Sequence, residues 1–159
     1  VVLVGGYLRA PGTAGLQGSP GLADVLTGSA YLGEALVKGS VEGLELLPAG
    51  RMPANPSELL GAPMMRDLLR ELAADRLVII DAPPVLRFTD GVVLAARAGG
   101  VILVARAGRT SAEDLHEAAL AIEQGGGRML GVVLNNVSEL GGKRKSLRSG
   151  VVSAESVPV

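Results

Sequence analysis

Residues 77–84, with the sequence LVIIDAPP, constrain the fold of this chain more than any other segment. The apolar run is too short for a helix, and its two isoleucines favour a parallel strand that is buried on both sides. Neither proline can donate a hydrogen bond to a central ladder, so strand pairing is predicted to stop at Asp81. Open α/β sheets bind ligands beyond the carboxyl ends of their strands, which predicts that Asp81 holds Mg²⁺ beside a nucleotide. The alternative is that Asp81 only caps a turn.

Short apolar runs alternate with amphipathic segments along the rest of the chain. Strands are predicted at residues 1–4, 43–48, 77–80, 101–104 and 129–134. Helices are predicted at residues 22–26, 32–37, 55–60, 63–75 and 89–98, with a last one that begins at Thr110 or Ser111 and stops at residues 125–127. Asn55 is predicted to cap the third helix. Strands separated by helices imply parallel crossovers, so the predicted fold class is α/β with a doubly wound, mainly parallel sheet.

The composition suits one compact domain with a single core. The chain has 159 residues, of which 48% are hydrophobic, and we place this domain at residues 1–137. After residue 137 the periodicity vanishes, and residues 138–159 are predicted to be a basic, disordered tail. Lys and Arg total 15 against 16 Asp and Glu, so no overall positive field predicts a nucleic-acid partner. The lack of cysteine suits a reducing cytoplasm, and no apolar run approaches the roughly 18 residues of a membrane span.

The glycine-rich segments were compared with what a phosphate-binding loop requires. Such a loop follows a strand and opens a helix, so that backbone amides and the helix dipole face the anion. Residues 141–143 have no strand before them, and residues 125–127 follow a helix. Neither segment therefore qualifies as a phosphate-binding loop. The sequence also opens at Val1 inside an apolar run, as expected of a chain cut from a longer protein.

Three segments together resemble one protein family. They are residues 20–26 (PGLADVL), residues 46–60 (LLPAG continuing to NPSELL) and residues 77–84. In order and spacing they resemble the bacterial tyrosine kinases (BY-kinases), cytoplasmic domains that work with polysaccharide co-polymerases in capsule and exopolysaccharide export. The resemblance extends from Val1 to about Val137. It implies a P-loop NTPase fold with the deviant Walker motifs of MinD and ParA, incomplete here at its N-terminus because the Walker A strand and loop would precede Val1.

The resemblance also implies roles for individual residues. Asp81 matches the Walker B acid, a metal ligand and catalytic residue. The Walker A′ motif, a strand followed by Asp, any residue, Asp, any residue and Arg, falls on Gly5, Tyr7 and Arg9. Of this motif only the arginine is retained, and the resemblance implies that Arg9 is catalytic together with Asp81. Glycine has no side chain to support Mg²⁺ or to orient an attacking hydroxyl, and losing such a carboxylate costs orders of magnitude in rate. Asn135 resembles the residue that contacts adenine, to which an amide offers both a donor and an acceptor.

The leading hypothesis is an ATP-dependent tyrosine kinase-like domain that regulates capsular and exopolysaccharide biosynthesis and export, with impaired or no activity in this chain. The cofactors implied for the complete protein are ATP and Mg²⁺. The partner implied is a transmembrane co-polymerase domain at the inner face of the plasma membrane, and a homo-oligomer stays open. One alternative is a ParA- or MinD-type ATPase, and another is a non-catalytic docking module of an export complex. If the missing acids have a replacement, Asp90 is the nearest candidate after Asp81.

Overall fold

The computed structural model describes residues 1–10 and 20–137. The chain divides into two compact units, Val1–Leu94 and Ala95–Val159. In the described ranges it forms β1 (Val2–Gly5), α1 (Leu22–Leu26), α2 (Leu32–Ala35), β2 (Val37–Lys38), β3 (Glu45–Leu47), α3 (Pro56–Gly61), α4 (Pro63–Leu72), β4 (Val78–Asp81), α5 (Asp90–Ala95), β5 (Val101–Arg106), α6 (Ala112–Gln124) and β6 (Met129–Asn135). The tail predicted at residues 138–159 lies outside the described residues.

A four-stranded sheet, in the order β2-β3-β1-β4, organises the first unit. β1 runs parallel to both β3 and β4, as the alternation of strands and helices predicts. β2 runs antiparallel to β3 and was not predicted. The predicted helix at residues 32–37 therefore ends early, because Val37 and Lys38 pair with β3 instead.

The core of the first unit lies between β1 and the helices that follow it. Val2 and Val4 of β1 are fully buried, and so are Leu22 of α1 and Leu60 of α3. The helix α4 contributes Met65, Leu68 and Leu72 at the predicted spacing of three and four residues. Burying each large apolar side chain stabilises the fold by about 1.5–3 kcal/mol, so this stripe fixes α4 to the sheet.

The strand β4 lies at an edge of its sheet, so the prediction that it is buried on both sides is wrong. Among the described residues it pairs with β1 alone. Val78 and Ile80 pack against the core, whereas Ile79 between them is 49% exposed and Leu77 is 66% exposed. The apolar run identified the strand correctly, but composition does not reveal how many neighbours a strand has.

The second unit contains the parallel pair β5 and β6 and the long helix α6. Ser111, one of the two predicted caps, begins α6: its hydroxyl accepts from the amide of Asp114 at 3.0 Å, and its own amide donates to the Asp114 carboxylate at 3.2 Å. Thr110 instead accepts from the amide of Arg106 at 2.9 Å. Within the part of the chain that the structure describes, no helix is long and apolar enough to cross a membrane.

The start of α3 differs from the prediction. Pro56 occupies the first turn, as expected, but Asn55 makes no side-chain capping bond. Its side-chain nitrogen Nδ2 donates to the carboxylate of Glu58 at 3.0 Å instead. The side-chain cap predicted at Asn55 is therefore wrong, because Glu58 competes for that side chain.

Candidate functional site

The carboxyl ends of β1 and β4 meet at one edge of the sheet. The register pairs Gly5 with Asp81, and the amide of Gly6 donates to the backbone carbonyl of Asp81 at 2.8 Å. Asp81 is exposed at this edge. The predicted metal acid thus lies directly beside the first position at which the Walker A′ pattern has an acid and this chain has glycine.

The donor set at this edge suits Mg²⁺ held mainly by a substrate. No group of three or more His, Cys, Asp or Glu side chains is arranged to hold a metal within residues 1–10 and 20–137. Mg²⁺ is commonly bound through one or two carboxylates, with water and substrate phosphates as its other ligands. Asp81, as a single exposed carboxylate, fits that mode of binding.

Gly5 is enclosed by the loop that follows β3. A Cβ atom at this position would lie 2.8 Å from the amide nitrogen of Ala49 and 3.3 Å from the carbonyl carbon of Pro48. Both are backbone atoms, which cannot rotate aside as a side chain can. A side chain at position 5 therefore requires this loop to move.

Tyr7, the second substituted position, makes an aromatic contact. Its ring centroid lies 5.9 Å from that of Phe88, with the two planes tilted by 47°. Phe88 belongs to the loop between β4 and α5. Where the family pattern places a second acid, this chain therefore has an apolar contact with the loop that follows Asp81, worth about 0.5–1.5 kcal/mol beyond its area.

Arg9 forms a bidentate ion pair with Asp90 at the start of α5. Its Nε donates to Oδ2 of Asp90 at 2.7 Å and its Nη2 donates to Oδ1 at 3.0 Å. Nη2 also donates to the hydroxyl of Ser57 at 3.1 Å, and that hydroxyl donates to Asp90. The guanidinium carbon lies 5.1 Å above the ring of Phe88, within cation–π distance.

Both partners of this pair are stabilised in their charged forms, although Asp90 is fully buried. Burial raises the pKa of Asp90, but the hydrogen bonds from Arg9 and Ser57 outweigh it and hold that pKa below its ordinary value. The hydrogen bond to Asp90 raises the pKa of Arg9. Asp90 is therefore an ionised carboxylate that is buried in its ion pair with Arg9.

A second buried aspartate joins two of the segments that carry the family resemblance. Oδ2 of Asp24 accepts from the amides of Gly21 at 3.0 Å and Arg51 at 3.2 Å, and Oδ1 accepts from Nε of Arg51 at 2.8 Å. Burial raises the pKa of Asp24, but these hydrogen bonds, led by the one from the Arg51 side chain, lower it overall. A Cβ on Gly21 would overlap the backbone of Pro48 and Gly50. The start of α1 is thus held by hydrogen bonds and close backbone contacts against the loop after β3, the same loop that crowds Gly5.

Asn135 lies at the carboxyl end of β6, in the second unit. Its backbone carbonyl accepts from the amide of Ala107 at 2.9 Å, and its side-chain oxygen accepts from the amide of Asn136 at 2.7 Å. Asn136 has a left-handed backbone with φ of 58°. The side chain of Asn135 therefore stabilises the turn that ends β6, while its exposed position leaves it accessible to solvent.

The fold of the chain is that of a known class of solved structures. The structure matches MinD from Pyrococcus horikoshii with a TM-score of 0.64 and 19% identity over 84% of this chain and 56% of that one. At this identity the likeness concerns the fold alone. The chain has the α/β fold of P-loop NTPases of the MinD type, which confirms the predicted fold class.

Closer relatives give the family, although no protein-family model matches the chain. The VpsO kinase domain matches with a TM-score of 0.80 and 34% identity over 86% of this chain and 70% of that one. The kinase domain of Escherichia coli tyrosine kinase ETK matches with a TM-score of 0.82 and 32% identity, over 91% and 58% of the two chains. The chain belongs to the bacterial tyrosine kinase family, as the sequence segments predict.

Curated relatives agree and are longer. Tyrosine-protein kinase ptk from Acinetobacter johnsonii is 35% identical over 124 residues, which are 77% of this chain and 17% of that protein. Tyrosine-protein kinase CpsD from Streptococcus agalactiae is 31% identical over 138 residues, 86% of this chain and 58% of that protein. The chain thus spans about one sixth of the length of ptk and about three fifths of the length of CpsD.

Proposed function

We propose that this chain is part of an ATP-dependent protein-tyrosine kinase domain that regulates capsular and exopolysaccharide biosynthesis and export, and that it transfers phosphate poorly. The observation that carries the proposal is the pairing of Asp81 with Gly5. The metal acid is exposed at the sheet edge, while the position beside it has no carboxylate and is crowded by the backbone of Pro48 and Ala49.

Phosphoryl transfer depends on positioning and on charge stabilisation. It needs a metal held against the phosphates and an acid that orients the attacking hydroxyl. In this proposal Asp81 serves the metal. Gly5 and Tyr7 stand where the acids would be, and Asp90 is closed off in its pair with Arg9. These placements support nucleotide binding without efficient transfer.

The cofactors proposed for the complete protein are ATP and Mg²⁺. When bound, Mg²⁺ supplies positive charge that neutralises the phosphate oxygens. Asp81 would hold the metal, and Asn135 would contact the adenine through its amide. Family membership supports both assignments.

The setting proposed for the domain also rests on family membership. We propose that it acts in the cytoplasm at the inner face of the plasma membrane, with a transmembrane polysaccharide co-polymerase domain as its partner. Self-association into a homo-oligomer is a further interaction to be examined by light scattering.

Titration calorimetry of the full-length gene product with MgATP tests the binding half of the proposal. We expect Asp81→Asn to weaken MgATP binding by about tenfold or more, because the neutral amide loses the charge that attracts Mg²⁺ and a loss of about 1.4 kcal/mol already corresponds to tenfold. Asp67→Asn is the matched control, since Asp67 is an exposed acid on α4. Equal affinities of the wild type and Asp81→Asn would contradict the role of Asp81.

The same preparation separates the two alternatives. A ParA- or MinD-type ATPase would hydrolyse ATP without phosphorylating tyrosine. A docking module would bind no MgATP at all while still associating with a co-polymerase domain. Either result would replace the kinase proposal.

A further inference from the structure

The segment that leaves β1 makes three contacts in succession: one with the residue before the loop that follows β4, one with the loop itself and one with the residue after it. We call residues 6–9 the exit segment and residues 82–89 the Asp81 loop. The amide of Gly6 bonds the carbonyl of Asp81 before the loop begins, at 2.8 Å. The ring of Tyr7 packs on Phe88 near its end. Arg9 pairs with Asp90 directly after it. The exit segment thus holds both ends of the Asp81 loop.

The last of these contacts is the strongest. Two parallel N–H···O bonds join a planar guanidinium to a carboxylate, a geometry that fixes direction as well as distance. Asp90 is fully buried, so removing Arg9 would leave a buried charge without its main partner. The contact therefore resists opening more than a surface ion pair would.

The helix α3 adds a third element to the same cluster. Ser57 bonds both Arg9 and Asp90, and its hydroxyl lies 3.3 Å from that of Thr89. At the start of α5, a Cβ on Gly91 would lie 3.0 Å from the carbonyl oxygen of Pro83, so the loop backbone packs closely on this helix. The Asp81 loop is consequently in contact with α3, α5 and the exit segment.

We propose that Arg9 is a positioning residue: through Asp90 and Ser57 it fixes the Asp81 loop and thereby holds the Asp81 carboxylate at the sheet edge. Arg9 acts on the loop and not on the reacting atoms, because two of its donors face Asp90. The consequence for MgATP rests on the proposed function, whereas the fixing of the loop does not.

Hydrogen exchange followed by mass spectrometry on the full-length protein tests the fixing of the loop. We expect Arg9→Gln to speed exchange of the amides in residues 82–89 by about tenfold or more, and Ser57→Ala to speed it less. Arg51→Gln is the matched control, since it breaks the ion pair with the other buried aspartate, Asp24, and should leave this loop unchanged. Arg9→Lys keeps the charge without the planar fork and should lie between wild type and Arg9→Gln.

Unchanged exchange of the loop in folded Arg9→Gln would overturn the proposal. If Arg9→Gln does not fold, Arg9→Lys and Ser57→Ala decide by the same criterion: faster loop exchange than in Arg51→Gln supports the proposal, and equal exchange overturns it.

Calorimetry with MgATP on the same variants tests the positioning of Asp81. We expect the affinity to fall in Arg9→Gln and to stay unchanged in Arg51→Gln. A loosened loop with unchanged MgATP affinity would overturn the positioning role and leave the proposed function intact. Absence of MgATP binding by the wild type would refute the proposed function instead, and loop exchange would then decide whether Arg9 fixes the loop.

Discussion

Adding a methyl group at position 5 is expected to destabilise the first unit. In Gly5→Ala the new Cβ would lie 2.8 Å from the amide nitrogen of Ala49, 3.3 Å from the carbonyl carbon of Pro48 and 3.5 Å from the Cα of Ala49. All three are backbone atoms of the loop that also packs on Gly21. The strain must therefore be relieved by moving the loop or the strand.

The size of the effect follows from two opposing contributions. Overpacking a tight interior costs about 1–3 kcal/mol. Replacing glycine by alanine also restricts the unfolded chain, which offsets this by about 0.4–1 kcal/mol. The net expectation is a loss of about 1–2 kcal/mol in the free energy of unfolding.

Urea unfolding followed by circular dichroism measures this change. With a slope of about 2 kcal/mol per molar, the midpoint should fall by about 0.5–1 M. Gly33→Ala is the control: Gly33 lies in α2 with nothing within 4 Å of its added Cβ, so it should gain about 0.5–1 kcal/mol. A midpoint of Gly5→Ala at or above the wild-type value would refute the crowding of position 5.

Two further predictions concern charge and capping. The pKa values of Asp90 and Asp24 are lower in the folded protein than their ordinary value of 3.8, so the unfolded chain binds more protons as the pH falls below that value. The stability they contribute should be present above pH 3.8 and lost below it. In thermal melts, Asp90→Asn should lose less stability than the wild type as the pH falls through this range. A pH dependence equal to that of the wild type would contradict the pairing of Asp90 with Arg9. Ser111→Ala should lower the free energy of unfolding, measured in urea, by about 1 kcal/mol because the amide of Asp114 loses its acceptor. Glu113→Gln should lower it less. A larger loss in Glu113→Gln than in Ser111→Ala would favour Thr110 as the cap.

Most strands and helices follow from local sequence patterns. The helix at residues 22–26 has the predicted bounds, and β1 is displaced from its prediction by one residue at each end. Short apolar runs followed by Gly or Pro, and apolar residues three or four apart, carry this information locally. The edge position of β4 and the two-residue strand β2 depend on neighbours in space, which local patterns do not encode.

The candidate site is only partly predictable for the same reason. The sequence identifies Asp81 at a strand end and the substitutions Gly5 and Tyr7. It does not show that Arg9 pairs with Asp90, which lies 81 residues further along the chain. Nor does it show the loop against Gly5, because that contact depends on how β3 pairs with β1.

The rate of phosphate transfer tests the central claim most directly. The full-length protein, saturated with MgATP, is mixed with a tyrosine peptide, and a single turnover is followed beside the kinase domain of Escherichia coli ETK under the same conditions. We predict transfer slower than in ETK by about a hundredfold or more, the effect expected from a lost acid or base, while MgATP stays bound. Transfer at a rate comparable with ETK would contradict the account, because it would mean that the chain needs no acid at positions 5 and 7.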